Sequence, residues 1–349
     1  MAPQSSRLER MKGWLLPLAR WAFWLAFLVV LAGSVVRMTG SGMGCPDWPK
    51  CFGLLVPPTE VEQVTYHEGE TYASGRMLLV NDRFWVAQKE VIAGDFEAER
   101  ERGDWSLYTK HDYHIFHPLH TWVEFINRLL GALAGVPALL LLLASAWARD
   151  LKTTVLALGA VLALGLVAWL GKLVVDGNLL PHSITIHMMG ALAILAIDSV
   201  IIQRLKGARV RWHRSARWGL FVALAVTLVQ ILTGTEVRET VDVLLAEGLG
   251  RPDLAHQLAS SQVLYLVHRS GYWVVLLSHL FWMWRMGPFG QGHVLRARNA
   301  TLALLAAQMT TGLLFAYGAF PAWAQPVHLV MGVGLFLTTW GLFWRTRTA

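Results

Sequence analysis

Charge is scarce in this chain: Asp, Glu, Lys and Arg make up 15% of its 349 residues, against about 25% in an ordinary soluble domain. Cysteine is scarcer still, with only Cys45 and Cys51. Structural zinc wants four tetrahedral ligands, commonly cysteines at short spacings, so a Cys-rich zinc fold is disfavoured. What stands in place of charge is apolar sequence, at 55% hydrophobic residues and a mean hydropathy of +0.44.

The apolar residues come in long stretches at repeated intervals. Eight spans are predicted, roughly 14–37, 118–147, 153–176, 183–203, 216–237, 263–284, 299–318 and 324–344. Each is about 20 residues or longer, enough for a hydrocarbon core of roughly 30 Å. In lipid the backbone must satisfy its own hydrogen bonds, so these are helices. The first is too long for the apolar core of a signal peptide, and "GSVVRMTGSGMG" is no small-residue cleavage site. The expectation is an all-α, polytopic membrane protein of eight transmembrane helices.

A net charge of +7 and a pI near 9.6 suggest nucleic acid at first sight. The distribution argues otherwise. Lys and Arg cluster in "RLERMK", "RDLK", "RLKGARVRWHRSAR", "RARN" and the "RTRT" tail. That is the positive-inside pattern of a multi-pass protein of the cell's inner (plasma) membrane, both termini cytoplasmic and the partner a lipid bilayer. Residues 38–117 then form the one large outer loop. Its "FWVAQKEVIAGDFEAERERGD" reads as an amphipathic helix with Phe84, Val86 and Val91 on the apolar side.

Two halves overlay. "LAGSVVRMT" at 31–39 is similar to "LTGTEVRET" at 232–240, and Asn127-Arg128 matches His268-Arg269. Gly171, Gly177 and His187 match Gly312, Gly318 and His328. From 127 to 268, 171 to 312 and 187 to 328 the offset is always 141. For Arg37 and Arg238 it is 201, and the excess of 60 falls where the outer loop lies. Residues 1–205, with the 38–117 loop, and 206–349 therefore read as two copies of a four-helix unit.

His187, His268, His328 and Asn127 fall near the outer ends of even-numbered spans. Ligating groups inside a membrane are costly and usually functional. Histidines facing each other in a four-helix bundle are a usual way to hold haem iron axially. His268 with His328 makes a complete pair, whereas His187 is matched with Asn127, so one ligand is missing from the amino half. Several other histidines remain open. His279, three helical turns past His268, is a core residue or a deeper ligand. His111, His114, His117 and His120 crowd the entrance to the second span as an interfacial cluster or a source of the missing ligand. His182 is the nearest substitute in sequence to His187, and zinc stays a rival metal for such a collection.

Arg37, Arg128, Arg238 and Arg269 share the outer level, where guanidinium forks suit carboxylates such as haem propionates. Cys45 and Cys51, in "GCPDWPKCFG", face an oxidising side, so a disulfide is expected, structural or redox-active.

At these residues the chain resembles the haem A synthase family, which converts haem O to haem A for cytochrome oxidases. The resemblance covers essentially all eight spans. It is carried by "GSVVRMTGSGMGCPDWPKC", by "VEFINR" where the family commonly shows Glu-x-x-His-Arg, and by the histidines of "SITIH", "VHR" and "QPVH". It implies haem b held by His268 and His328, and haem O as substrate in the amino half near His187. One porphyrin methyl would become a formyl by successive hydroxylation. Glu124 would handle protons or position substrate, with an i,i+4 ion pair to Arg128 as the other reading. Cys45 and Cys51 match the family's outer-loop pair, while "TGTEVRETVD" departs from members that carry a second. Asn127 sits where the family places an iron ligand, so the substrate haem has one protein ligand or borrows a histidine. The implied partners are haem O and the membrane farnesyltransferase that produces it; electron donor and oxygen source stay open, and a homo-oligomer is allowed. The competing readings are a non-catalytic bis-His haem b cytochrome and a transporter built on the repeat.

Overall fold

The computed structural model describes residues 4–109, 115–176, 182–207, 210–286 and 292–348. In chain order its elements begin with α1 (Gln4–Thr39), a 3-10 turn (Val61–Val64), β1 (Thr71–Tyr72), β2 (Met77–Val80), β3 (Arg83–Ala87) and β4 (Val91–Ile92). Then come α2 (Phe96–Glu101), β5 (Trp105–Leu107), α3 (Pro118–Trp147), α4 (Leu151–Asp176), α5 (Ser183–Lys206) and β6 (Val210–Trp212). The chain finishes with α6 (Arg214–Ala246), α7 (Arg251–Ser261), α8 (Val263–Met286), α9 (His293–Tyr317), α10 (Ala324–Arg345) and β7 (Thr346–Thr348).

Eight of the helices are long, one over each expected span. Seven of these are apolar and long enough to cross a membrane. The eighth is α8, whose hydropathy is lowered by His268, Arg269, Ser270 and His279. Large apolar side chains point outward, among them Trp14, Leu143, Trp147, Leu162 and Trp169. Water would penalise that surface and a bilayer would not. This is an integral membrane protein with an all-α body.

The helices pack as two rings. In one, α1 lies against α3, α3 against α4, α4 against α5, and α5 closes back on α1. In the other, α6, α8, α9 and α10 make the same circuit. The rings meet along α5, α6, α10 and α1, over a core that includes Leu192 and Leu195 of α5 and Val333 and Phe336 of α10. At the opposite end from residues 38–117, β6 and β7 pair in parallel.

The 38–117 segment departs from expectation. Instead of one amphipathic helix, "FWVAQKEVIAGDFEAERERGD" contributes all of β3 after Arg83, β4 and the six-residue α2, and ends just before β5. Two features decide this. Asn81 and Asp82 both take positive φ (51° and 57°), giving the tight turn that folds β3 antiparallel onto β2, with Met77 opposite Val86. Asp95 then caps α2, its side chain accepting from the amides of Glu97 and Ala98. Strands β2, β3 and β5 form one sheet, and β1 pairs with β4. Phe52, Phe84 and Met77 fill the core beside Cys45 and Cys51. This small domain is fastened to α3 where Gly44 crosses it: a Cβ there would lie 2.3 Å from the His120 carbonyl oxygen.

Candidate functional site

His268 of α8 and His328 of α10 stand with ring centres 6.3 Å apart. Each is held by the neighbouring helix of its ring in the same way. His268 Nδ1 lies 3.1 Å from Thr233 Oγ1, and Gln230 Nε2 donates to the His268 carbonyl at 2.6 Å. His328 Nδ1 lies 2.7 Å from Thr311 Oγ1, and Gln308 Nε2 donates to the His328 carbonyl at 2.6 Å. Both threonine hydroxyls also reach a carbonyl of their own helix, Gln230 O for Thr233 and Ala307 O for Thr311. A hydroxyl has one hydrogen; donated to that carbonyl, it leaves a lone pair to accept from Nδ1–H. The tautomer that results keeps Nε2 unprotonated and free to bind a metal.

Backbone must come close for this to fit. A Cβ on Gly234 would sit 2.8 Å from His268 Cε1, and one on Gly271 would sit 2.5 Å from Gln230 Oε1. The pattern Q-x-x-T-G, at 230–234 and again at 308–312, is the sequence signal of this cradle.

The amino half has the outline of this site without the cradle. Gly33 of α1 faces Asn127 of α3, and Gly171 of α4 faces His187 of α5, each 3.7 Å from a would-be Cβ. By the repeat, Gln230 and Thr233 correspond to Val29 and Ala32, and Gln308 and Thr311 to Val167 and Leu170. No hydrogen bond reaches the His187 ring among the described residues, and Asn127 Oδ1 is buried without a partner.

Glu124 and Arg128 turn toward the disulfide loop. Cys45 and Cys51 are bonded. The buried Glu124 accepts from the Cys45 amide at 2.8 Å and pairs with Arg128 Nη2. Arg128 also donates to the carbonyls of Asp47 (2.6 Å), Lys50 (3.1 Å) and Cys45 (3.1 Å). Burial pushes the Asp47 carboxyl above its ordinary range, against the pull of the Gly53 amide and the Arg128 charge. So these two residues, singled out as site residues, seat the loop on α3.

The other arginines also have protein partners. Arg37 of α1 and Arg238 of α6 both pair with Asp242, and Arg238 donates to the Arg37 carbonyl at 2.8 Å. Arg37 Nε stays buried and unpartnered. Arg269 donates to the Tyr317 hydroxyl at 2.8 Å.

Of the remaining histidines, His279 is fully engaged, Nδ1 on the Val275 carbonyl (2.9 Å) and Nε2 at Thr339 Oγ1 (3.1 Å), as a packed core residue. His117 caps α3 and stacks on His120 at its entrance; His111 and His114 lie outside the described residues. His182 pairs with Glu236 at 2.9 Å, and its amide meets Glu239. Those three side chains bring ligand atoms within 4.8 Å of one another.

Two four-helix rings in a membrane-spanning body, one of them presenting a cradled histidine pair, define a polytopic membrane protein. Comparison with known proteins says which. Residues 18–88 and 79–340 match the family model COX15-CtaA, cytochrome oxidase assembly protein, and the chain belongs to that family. Among its relatives, Heme A synthase of Shewanella oneidensis is 24% identical over 215 residues, covering 59% of this chain and 52% of that protein. Heme A synthase of Erythrobacter litoralis is 23% identical over 354 aligned positions, covering 92% and 95%. The chain thus spans about half the length of the first relative and nearly all of the second.

Proposed function

We propose that this protein is a haem A synthase, a membrane oxidoreductase that oxidises a methyl group of haem O to a formyl group and so supplies haem A for cytochrome oxidase assembly. The observation that carries the reading is the His268–His328 pair. A metal–imidazole bond of roughly 2 Å, plus roughly 1 Å from nitrogen to ring centre on each side, puts two axial imidazoles about 6 Å apart centre to centre. The observed 6.3 Å fits, as does the free Nε2 on each ring. Haem b held there would supply one-electron redox chemistry.

The contrast between the halves supports a division of labour. A preorganised, hydrogen-bonded ligand pair suits a resident cofactor. The amino half, with His187 lacking such support and Asn127 in place of a second imidazole, suits a haem that must enter and leave. The buried Arg37 Nε and the positive excess of Arg37 and Arg238 over Asp242 give carboxylate substituents a place to bind. Glu124 and Arg128 would act by fixing the Cys45–Cys51 loop over the substrate half. Duplication of a four-helix unit, 1–205 and 206–349, accounts for the matched packing. The Lys/Arg asymmetry supports an inner-membrane protein with cytoplasmic termini, α8 crossing with the rest.

The test is the pigment of the full chain expressed with and without a haem O source. Haem A appearing only with haem O supports the enzyme; unchanged haem b in both favours the electron-transfer cytochrome.

A further inference from the structure

The amino-half ring has a hole in its core with a single acid pointing into it. Five alanines from three helices, Ala22, Ala26, Ala134, Ala138 and Ala160, line a cavity of ≈ 10 Å³ together with Asp198 of α5. That is room for about one water. Asp198 is 2% exposed and its Oδ1 has no hydrogen-bond partner. No other ionisable group lines the cavity. On α5 the next charged residue is Arg204, six residues and about 9 Å further along, where it pairs with Asp150.

The carboxyl half shows what this layer looks like when closed. Across the 141-residue offset Ala138 corresponds to His279, Asp198 to Thr339 and Ala160 to Thr301. There His279 meets Thr339 at 3.1 Å and all three are fully buried. The amino half replaces a satisfied pair by an unsatisfied acid and empty volume. A lone buried carboxylate is far too costly to keep in such a place, whereas a protonated carboxyl with a water beside it is not. The residue also sits in a telling position. Asp198 follows His187 by eleven residues, three helical turns, so it lies on the same face of α5 about 16 Å deeper.

We propose that Asp198 is a proton-exchange site: a neutral carboxylic acid, partnered by one water in the alanine-lined cavity, that gives up and retakes its proton as charge changes in the substrate half. In a low-dielectric bundle, positive charge arising on a ligand bound beside His187 would be offset if a proton left. On that face of α5 Asp198 is the group that can release one, to the cavity water, and retake it when the charge is gone. The use of the site rests on the haem A synthase reading; its existence does not.

The experiment is infrared difference spectroscopy of the full-length, haem b-loaded protein against Asp198→Asn, in H₂O and after transfer to D₂O. A carboxylic C=O band missing from the variant, and shifted by D₂O in the wild type, is the expected result. Absence of such a band means that Asp198 is ionised, and a band unmoved after a day in D₂O means a sealed structural acid; either overturns the proposal. The double variant Ala138→His with Asp198→Thr installs the sibling half's pair, so it should fold, keep haem b and show no exchanging carboxyl. If wild type forms haem A, Asp198→Asn should slow that conversion at least tenfold with haem b unchanged; an unaltered rate removes the site's role in turnover. If wild type forms none, the synthase reading has failed while the infrared result still decides the proton site.

Discussion

His268 and Thr233, on adjacent helices, meet at 3.1 Å through Nδ1 and Oγ1, and His328 and Thr311 repeat the contact at 2.7 Å. The two threonines decide which imidazole nitrogen carries the proton. Loss of such a supporting group typically weakens metal binding 10–100-fold. Thr233→Val and Thr311→Val should each loosen haem b by about that much and move its reduction potential. Serine in place of either threonine should restore both. A redox titration in which both valine variants match the parent would show that the hydroxyls do not orient the ligands.

Asn127→His should complete an axial pair in the amino half. Protein loaded with haem O would then gain a second low-spin, six-coordinate spectrum beside that of haem b. An amide binds haem iron poorly and the Asn127 Oδ1 has no hydrogen bond to lose, so Asn127→Ala should leave haem content and spectra close to those of the parent. Unchanged spectra in the histidine variant would mean that position 127 does not face the iron.

Arg128 gathers three loop carbonyls and the Glu124 carboxylate. Removing one member of a buried pair costs about 3–5 kcal/mol. Arg128→Ala should therefore free residues 45–51, read as faster amide exchange there, without altering the haem b spectrum. Glu124→Ala should keep haem b and lose haem A formation. Slow exchange at 45–51 in Arg128→Ala would show that the loop is held by other contacts.

The small domain at 38–117 should have its own acid limit. A hydrogen bond from Lys89, working against burial and helped by Arg102, holds the Asp104 carboxyl below its ordinary range. A depressed folded value gives stability that is present above the unfolded value and lost as pH falls through the folded one. Fluorescence of the adjacent Trp105 should report that loss below the ordinary carboxylate range, and Asp104→Asn should flatten it. An equally steep acid transition in the variant would assign it elsewhere.

How much was legible beforehand follows from which forces write themselves into sequence. Length and hydropathy located all eight long helices, because lipid demands about 20 apolar residues per crossing. The constant 141-residue offset made His268, His328, His187 and Asn127 stand out together. The Gln230–Thr233 and Gln308–Thr311 cradles escaped because uncharged polar residues in apolar helices look like packing until a partner helix is placed beside them. The β-structure of 71–107 escaped because the run after Phe84 was read by its apolar spacing rather than by the Asn81–Asp82 turn before it. Arg128 looked like a ligand for an anion because its carbonyl partners come from a loop some 80 residues earlier in the chain. The Asp198 cavity could be found only by comparing the two rings in three dimensions.

The central claim is that one half keeps a haem and the other changes one. The most direct measurement is the haem extracted from protein purified after expression with haem O. Wild type should carry haem b and haem A, His187→Ala haem b alone, and His328→Ala should have lost its low-spin haem b. Haem A persisting in His187→Ala, or haem b at full occupancy and unchanged spectrum in His328→Ala, would contradict the account.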